Sequence, residues 1–180
     1  MRWCEAALAA LAPGSDGGFA ILVNSGNSNA FTGGAGDAAV RATVAATAAA
    51  VGVHEGHVFV ASTGVIGEPL PAERIVAVLG RLAADLDAGA AERAARAIMT
   101  TDTFPKGAVA RIGFGGVPVT IAGFAKGSGM IAPDMATMLV YLFSDAAVEP
   151  GLLQAMVSRA NAATFNCITC LLYTSDAADD

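Results

Sequence analysis

The stretch Ala125-Lys-Gly-Ser-Gly-Met-Ile-Ala-Pro-Asp-Met-Ala-Thr-Met-Leu139 joins two runs of strand character. The run before it, Val117–Phe124, is β-prone. The run after it, Met138–Phe143, is continuously apolar and reads as a central strand. A loop holding Lys126, three small residues and Pro133, with Thr137 at the mouth of the next strand, suits nucleophilic chemistry. A threonine hydroxyl is a weak nucleophile at its own pKa and needs a base. If the Ala136–Thr137 bond is cut, the new α-amine lies within reach of the same residue's hydroxyl. Its reference pKa of about 7.7–8.0 lets it act as that base near neutrality. Spacing alone, however, favours a packing role for a threonine that opens a strand.

Working outward, Ala108–Phe114 and Val117–Phe124 are separated by Gly115-Gly116, which predicts a hairpin. Pro150–Ala163 predicts a helix with proline at its first position. Towards the N-terminus, Phe19–Val23 is a short apolar run ending at Asn24-Ser25-Gly26, expected to be a buried strand and a turn. Asp37–Val51 predicts an alanine-rich helix ending near Gly52. Val58–Ala61 predicts a second strand, followed by the polar turn Ser62-Thr63-Gly64. Pro71–Ala88 carries apolar residues at helical spacing (Ile75, Val78, Leu79, Leu82, Leu86) and closes at Gly89. Ala90–Met99 predicts a shorter helix. No internal repeat or linker-like shift in composition interrupts the chain. Strands alternating with helices predict a layered α/β fold.

The 180 residues suffice for one domain with a hydrophobic core. The chain is 54% hydrophobic and 14% charged, with a mean hydropathy of +0.57. No uninterrupted apolar run reaches the roughly 18 residues of a spanning helix, so the excess reads as a buried α/β chain that meets partner segments rather than as a membrane protein. The net charge of −6 opposes a phosphate-binding footprint, which argues against nucleic acid as a partner. Three cysteines, Cys4, Cys167 and Cys170, are too few and odd in number for a disulfide scaffold. A reducing cytoplasm is therefore expected. Glu5 interrupts the first apolar stretch, which makes Met1–Ala12 a poor signal peptide.

Lys126–Leu139 closely resembles the ornithine acetyltransferase family, also called the bifunctional glutamate/ornithine N-acetyltransferases of arginine biosynthesis. Four further segments resemble it in the same order: Val23-Asn-Ser-Gly-Asn-Ser-Asn-Ala-Phe-Thr-Gly33, Ser62-Thr-Gly-Val-Ile-Gly67, Ala97-Ile-Met-Thr-Thr-Asp-Thr-Phe-Pro-Lys106 and Thr164-Phe-Asn-Cys-Ile-Thr169. The resemblance implies the layered sheet-and-helix fold that this family shares with self-processing aminopeptidases, here incomplete. It implies self-cleavage between Ala136 and Thr137 into an α and a β chain that stay together as a hetero-oligomer, with Thr137 as the nucleophile. Acetyl would pass from N-acetylornithine to Thr137 and then to glutamate. Whether acetyl-CoA also donates is left open. Thr63 and Gly64 match the oxyanion-hole positions, Lys126 a substrate-contacting lysine, and one of Thr100 and Thr101 another contact, with Thr100 the preferred choice. Thr137 itself also contacts substrate. No cofactor and no metal are implied.

Two departures qualify this expectation. The family's chain starts well before the Val23–Gly33 motif and continues well beyond Thr169. Residues 170–180 read instead as the translation of a transposase-type sequencing adapter. Residues 1–169 are therefore expected to be a partial acetyltransferase domain, with the α-chain part running to 136 and the β chain starting at 137, and the fragment is expected to be inactive. Two other readings stand beside this one: a self-processing aminopeptidase or amidohydrolase, in which water deacylates the nucleophile, and a non-catalytic, aggregation-prone fragment. Weaker signals favour bland roles. Gly34-Ala-Gly36-Asp-Ala-Ala39 lies too far after its strand for a dinucleotide loop and reads as helix entry. His54-Glu55-Gly56-His57 lacks a third metal ligand and reads as a turn. Cys167 and Cys170 imitate a redox pair, but Cys170 belongs to the adapter-like tail.

Overall fold

The computed structural model describes residues 2–12, 14, 15, 17–128 and 138–167. They form two compact units that divide between Ala90 and Ala91. The class is mixed α/β.

In the first unit, helix α1 (Arg2–Ala10) precedes strand β1 (Ala20–Asn27), helix α2 (Gly33–Val51), strand β2 (Val58–Val65) and helix α3 (Ala72–Ala84). Strands β1 and β2 pair in parallel, from Ala20 opposite Val58 to Asn27 opposite Val65. A parallel pair needs a crossover, and α2 supplies it. Val44 and Val58 are fully buried, and with Ala48 they form a core against Trp3, Val40, Val53 and Val60. Polar groups on α2 face this core because they are satisfied locally: Thr43 Oγ1 donates to the Ala39 carbonyl at 2.9 Å and Thr47 Oγ1 to that of Thr43 at 2.7 Å. Helix α1 is fastened to β2 by Trp3 Nε1, which donates to the Val58 carbonyl at 3.0 Å.

In the second unit, helix α4 (Ala91–Ala97) leads to strands β3 (Lys106–Phe114), β4 (Val117–Lys126) and β5 (Leu139–Ser144), then helix α5 (Pro150–Ala163). The three strands form an antiparallel sheet in the order β3-β4-β5. Phe114 faces Val117 across a two-residue turn, in which Gly115 and Gly116 have φ of +57° and +83°. Such a turn needs positive φ at both positions, which glycine adopts without strain. Helix α5 starts on Pro150, and Glu149 caps it by accepting from the Leu152 N–H at 2.8 Å.

Several sequence expectations are corrected. Strands β1 and β2 do not end where hydrophobicity ends: Asn24–Asn27 and Ser62–Val65 are strand, not turn, because the parallel ladder continues through them. Helix α2 starts at Gly33, so Gly34–Ala39 is helix rather than an entry loop. Helix α3 stops at Ala84, with Asp85 rather than Gly89 as its C-terminal cap, and the next helix spans only Ala91–Ala97. The apolar run expected to be central forms β5, which pairs only with β4 among the described strands.

One glycine controls the first unit. Gly64 has φ of +130°, and a Cβ there would lie 2.3 Å from the Gly26 carbonyl carbon and 2.6 Å from the Asn27 nitrogen. Both obstacles are backbone and cannot swing aside. Gly64→Ala should therefore destabilise this unit by about 3 kcal/mol. Trp3 is the sole tryptophan, so its fluorescence during urea unfolding reports the loss directly. An unchanged midpoint would show that the two strands can separate at no cost.

Candidate functional site

The five sequence motifs fall into two groups of residues, one in each unit. In the first unit, the Val23–Gly33 motif covers the carboxyl end of β1, and Ser62–Gly67 the carboxyl end of β2. Open parallel sheets bind ligands outside the carboxyl ends of their strands. Asparagines shape the loop after β1. Asn24 Nδ2 donates to the Asn27 carbonyl at 2.7 Å, Asn29 Nδ2 to that of Gly36 at 2.9 Å, and Asn27 Nδ2 to that of Glu68 at 3.3 Å. Thr32 Oγ1 donates to Asn29 Oδ1 at 2.6 Å. The Ser28 N–H donates to the Val65 carbonyl at 2.8 Å, which ties the two strand ends together.

Thr63 lies on β2 opposite Ser25 and is fully buried. Among the described residues its Oγ1 has no hydrogen-bond partner, and neither do the buried Ser28 Oγ and Asn27 Oδ1. A buried hydroxyl left unpaired costs about 1–3 kcal/mol, so such groups in a folded protein need a reason. Gly64 follows Thr63 with its backbone held against Gly26, leaving no room for a side chain.

In the second unit, the segment after α4 meets the end of β4. Lys126, the last residue of β4, is 2% exposed. Its Nζ donates to Thr100 Oγ1 at 2.9 Å. Thr101 is exposed, and its Oγ1 donates to the Ser128 carbonyl at 3.1 Å. Of Thr100 and Thr101, Thr100 is thus the one whose hydroxyl meets the lysine.

Sequence reasoning missed the centre of this arrangement. The Asp102 side chain is fully buried and forms an ion pair with the Lys106 ammonium. It also accepts from the Gly127 N–H at 2.8 Å and the Thr100 N–H at 3.3 Å. The hairpin register places Lys106, the first residue of β3, opposite Ala125, which brings both lysines to one end of the sheet. These are the only two lysines in the chain. Burial pushes the Asp102 carboxyl up, but the ion pair and two N–H donors outweigh it and hold the group below its ordinary value. Burial pushes the Lys126 ammonium below the ordinary lysine value; Asp102 opposes that shift and Lys106 reinforces it.

Ala136 and Thr137, the expected cleavage site and nucleophile, lie outside the described residues, as does Cys170. The weaker signals have local roles. His54 Nδ1 accepts from the Gly56 N–H at 3.1 Å and so shapes its own turn. His57 stacks on Phe19 with ring centroids 4.6 Å apart. Among the described residues no group of three or more His, Cys, Asp or Glu could hold a metal ion, and no helix is long and apolar enough to cross a membrane.

Comparison with known proteins places these residues in context. The sequence model of the ArgJ family matches residues 2–177. The chain is 64% identical over 155 residues to the arginine biosynthesis bifunctional protein ArgJ of Ruegeria pomeroyi, covering 86% of this chain and 38% of the relative. It is 53% identical over 156 residues to the protein of the same name from Agrobacterium fabrum, covering 87% and 38%. The chain thus spans well under half the length of these curated relatives. Two solved structures are similar. One is the Bacillus halodurans arginine biosynthesis bifunctional protein ArgJ, with a TM-score of 0.62 and 33% identity, covering 77% of this chain and 69% of that one. The other is the Mycobacterium tuberculosis ornithine acetyltransferase complexed with ornithine, with a TM-score of 0.60 and 32% identity at the same coverage. The chain belongs to the ArgJ family.

Proposed function

We propose that this chain carries the nucleophile and part of the substrate site of a glutamate N-acetyltransferase that moves acetyl from N-acetylornithine to glutamate. The observation that carries the reading is the buried Lys126–Thr100 pair, eleven residues before Thr137 in the sequence, in a chain of the ArgJ family. A fixed ammonium suits the α-carboxylate common to both substrates.

The chemistry proceeds in two transfers. Hydrolysis between Ala136 and Thr137, with water supplying the new oxygen of the Ala136 carboxylate, frees the α-amine of Thr137, dividing an α chain ending at 136 from a β chain starting at 137. That amine takes the proton of the Thr137 hydroxyl as its oxygen attacks the acetyl carbonyl carbon of N-acetylornithine. The carbon–nitrogen bond breaks, the ornithine amine leaves with a proton, and Thr137 holds the acetyl as an ester. The amine of glutamate attacks that ester, giving N-acetylglutamate and restoring the hydroxyl. Thr63 Oγ1 and the Gly64 N–H are assigned to the negative oxygen of each tetrahedral intermediate. In support, the Thr63 hydroxyl is buried and has no partner among the described residues, so no bond to them must break when charge develops. Acetyl-CoA as a second donor belongs to the same proposal.

The chain alone is proposed to work slowly or not at all. Helix α5 buries no residue, and Leu152, Leu153, Met156 and Val157 on it are 41–56% exposed. On β3, Val109 and Phe114 are 66% and 78% exposed. Apolar faces of this kind mark surfaces that meet other segments, such as the remainder of the paired α and β chains.

The test is intact and peptide mass analysis of the purified chain beside Thr137→Ala, each incubated with N-acetylornithine. A minor fraction split at Ala136–Thr137, with acetyl on residue 137, is expected in the parent and absent in the variant. Equal acetylation of Thr137→Ala, or acetyl only on another residue, would contradict the assignment; no splitting and no acetyl in either protein would leave this chain a scaffold without the chemistry.

A second test concerns the buried ammonium. Because its folded pKa lies below the free value, Lys126 costs stability at neutral pH. That cost is relieved only as pH rises through the folded value towards the free-lysine value of about 10.4. Lys126→Met should therefore raise unfolding free energy at pH 7 by about 1 kcal/mol and abolish its alkaline rise, while removing any affinity for N-acetylornithine. Lower stability at pH 7 would show that the ammonium serves the fold instead.

A further inference from the structure

The chain has only two lysines in 180 residues, and both lie at one buried carboxylate. Lys106 pairs with Asp102 directly. Lys126 feels its charge and donates to Thr100, whose own N–H donates to that carboxylate. The Gly127 N–H, next along the chain from Lys126, donates to it as well. One side chain thus binds three things at once: the backbone of the segment bearing the threonine, the backbone at the strand end bearing the lysine, and a second cation. With two ammonium groups and one carboxylate the cluster carries one net positive charge. Among the described residues Lys126 spends one hydrogen bond, on a neutral hydroxyl; an ammonium has three to give. The arrangement has the net charge and the spare donors of a receptor for one anionic group.

We propose that Asp102 is the positioning residue of this receptor, fixing Thr100 and Lys126 relative to one another and supplying the negative charge that keeps Lys126 an ammonium in a buried place. Lys106 is its counter-ion, and it prevents Asp102 from neutralising Lys126 outright. The carboxylate substrate named for the receptor rests on the function proposed above; the positioning role does not. The other titratable groups on the elements packed here are Arg111 on β3, Tyr141 on β5, and Glu92, Arg93 and Arg96 on α4. Of these, Glu92 and Arg96 pair with each other at 2.7 Å on an exposed face.

Because there are two lysines, a chain labelled with 15N-lysine gives two side-chain ammonium signals, each of which can be titrated by NMR. Asp102→Asn removes the charge that favours the Lys126 ammonium, so the Lys126 midpoint should fall. Lys106→Met removes a like charge, so the midpoint should rise. A purely structural role predicts another pattern: either variant would loosen the site, expose Lys126 and raise its midpoint. Movement upward in both variants, or no movement in Asp102→Asn, overturns the proposal. In parallel, N-acetylornithine binding is measured by calorimetry. Asp102→Asn should weaken it about tenfold or more. Equal affinity in the parent and Asp102→Asn overturns the positioning role. Opposite movements with no binding by the parent support the positioning role and remove N-acetylornithine as the ligand.

Discussion

The buried carboxylate of Asp102 is the constraint on which the second unit's functional end depends. Three donors converge on it from three places: the connection after α4, the first residue of β3 and the residue after β4. A buried charge is tolerated only when its hydrogen-bonding capacity is met and a counter-charge is near. The counter-charge is local, four residues along the chain, but the Gly127 N–H reaches the carboxylate only if β3 and β4 hold their register, which brings the end of β4 beside Lys106. The tight Gly115-Gly116 turn fixes the register from the far end of the hairpin. Turn, ladder and ion pair therefore act as one device, which leaves Lys126 buried, charged and sparsely bonded.

The first unit solves a different problem by a different means. At Gly64 the backbone conformation would aim a Cβ straight into the Gly26–Asn27 backbone of the paired strand, so no side chain fits there. The same ladder holds Thr63 in full burial, its hydroxyl without a partner among the described residues. An unpaired buried hydroxyl and a buried lysine are both unfavourable in a resting fold, and both fall on motifs shared with the acetyltransferase family. Local rules of satisfaction are broken where ligands are expected to complete them.

Much of this was legible in the sequence, for physical reasons that differ by element. The hairpin could be read because two glycines between β-prone runs leave few other conformations. Helix α5 could be read because proline is favoured at a first helical position. The ends of β1 and β2 could not be read from hydrophobicity. Their last residues, Asn24–Asn27 and Ser62–Val65, are largely polar or glycine and are kept as strand by cross-strand pairing with a partner more than thirty residues away. The apolar run at 138–143 looked central because hydrophobicity reports burial and not position within a sheet. Lys126 and the Thr100-Thr101 pair emerged from the family resemblance. Asp102 and Lys106 did not, although they stood inside a quoted motif. An aspartate four residues before a lysine, in a segment with Pro105, looks like an ordinary solvated loop. The available clue was compositional: a chain with two lysines that places each within a family-like motif is not spending them on solubility.

The measurement that tests the account most directly is amide hydrogen exchange at Thr100 and Gly127, followed by NMR at neutral pH. Both N–H groups donate to Asp102 and lie at or beyond element ends, so their protection depends on that carboxylate. The account predicts that both exchange on the order of a hundredfold more slowly than in an unstructured chain. Exchange of both at the unstructured rate would show that Asp102 does not join the two segments, and the preformed receptor would not exist.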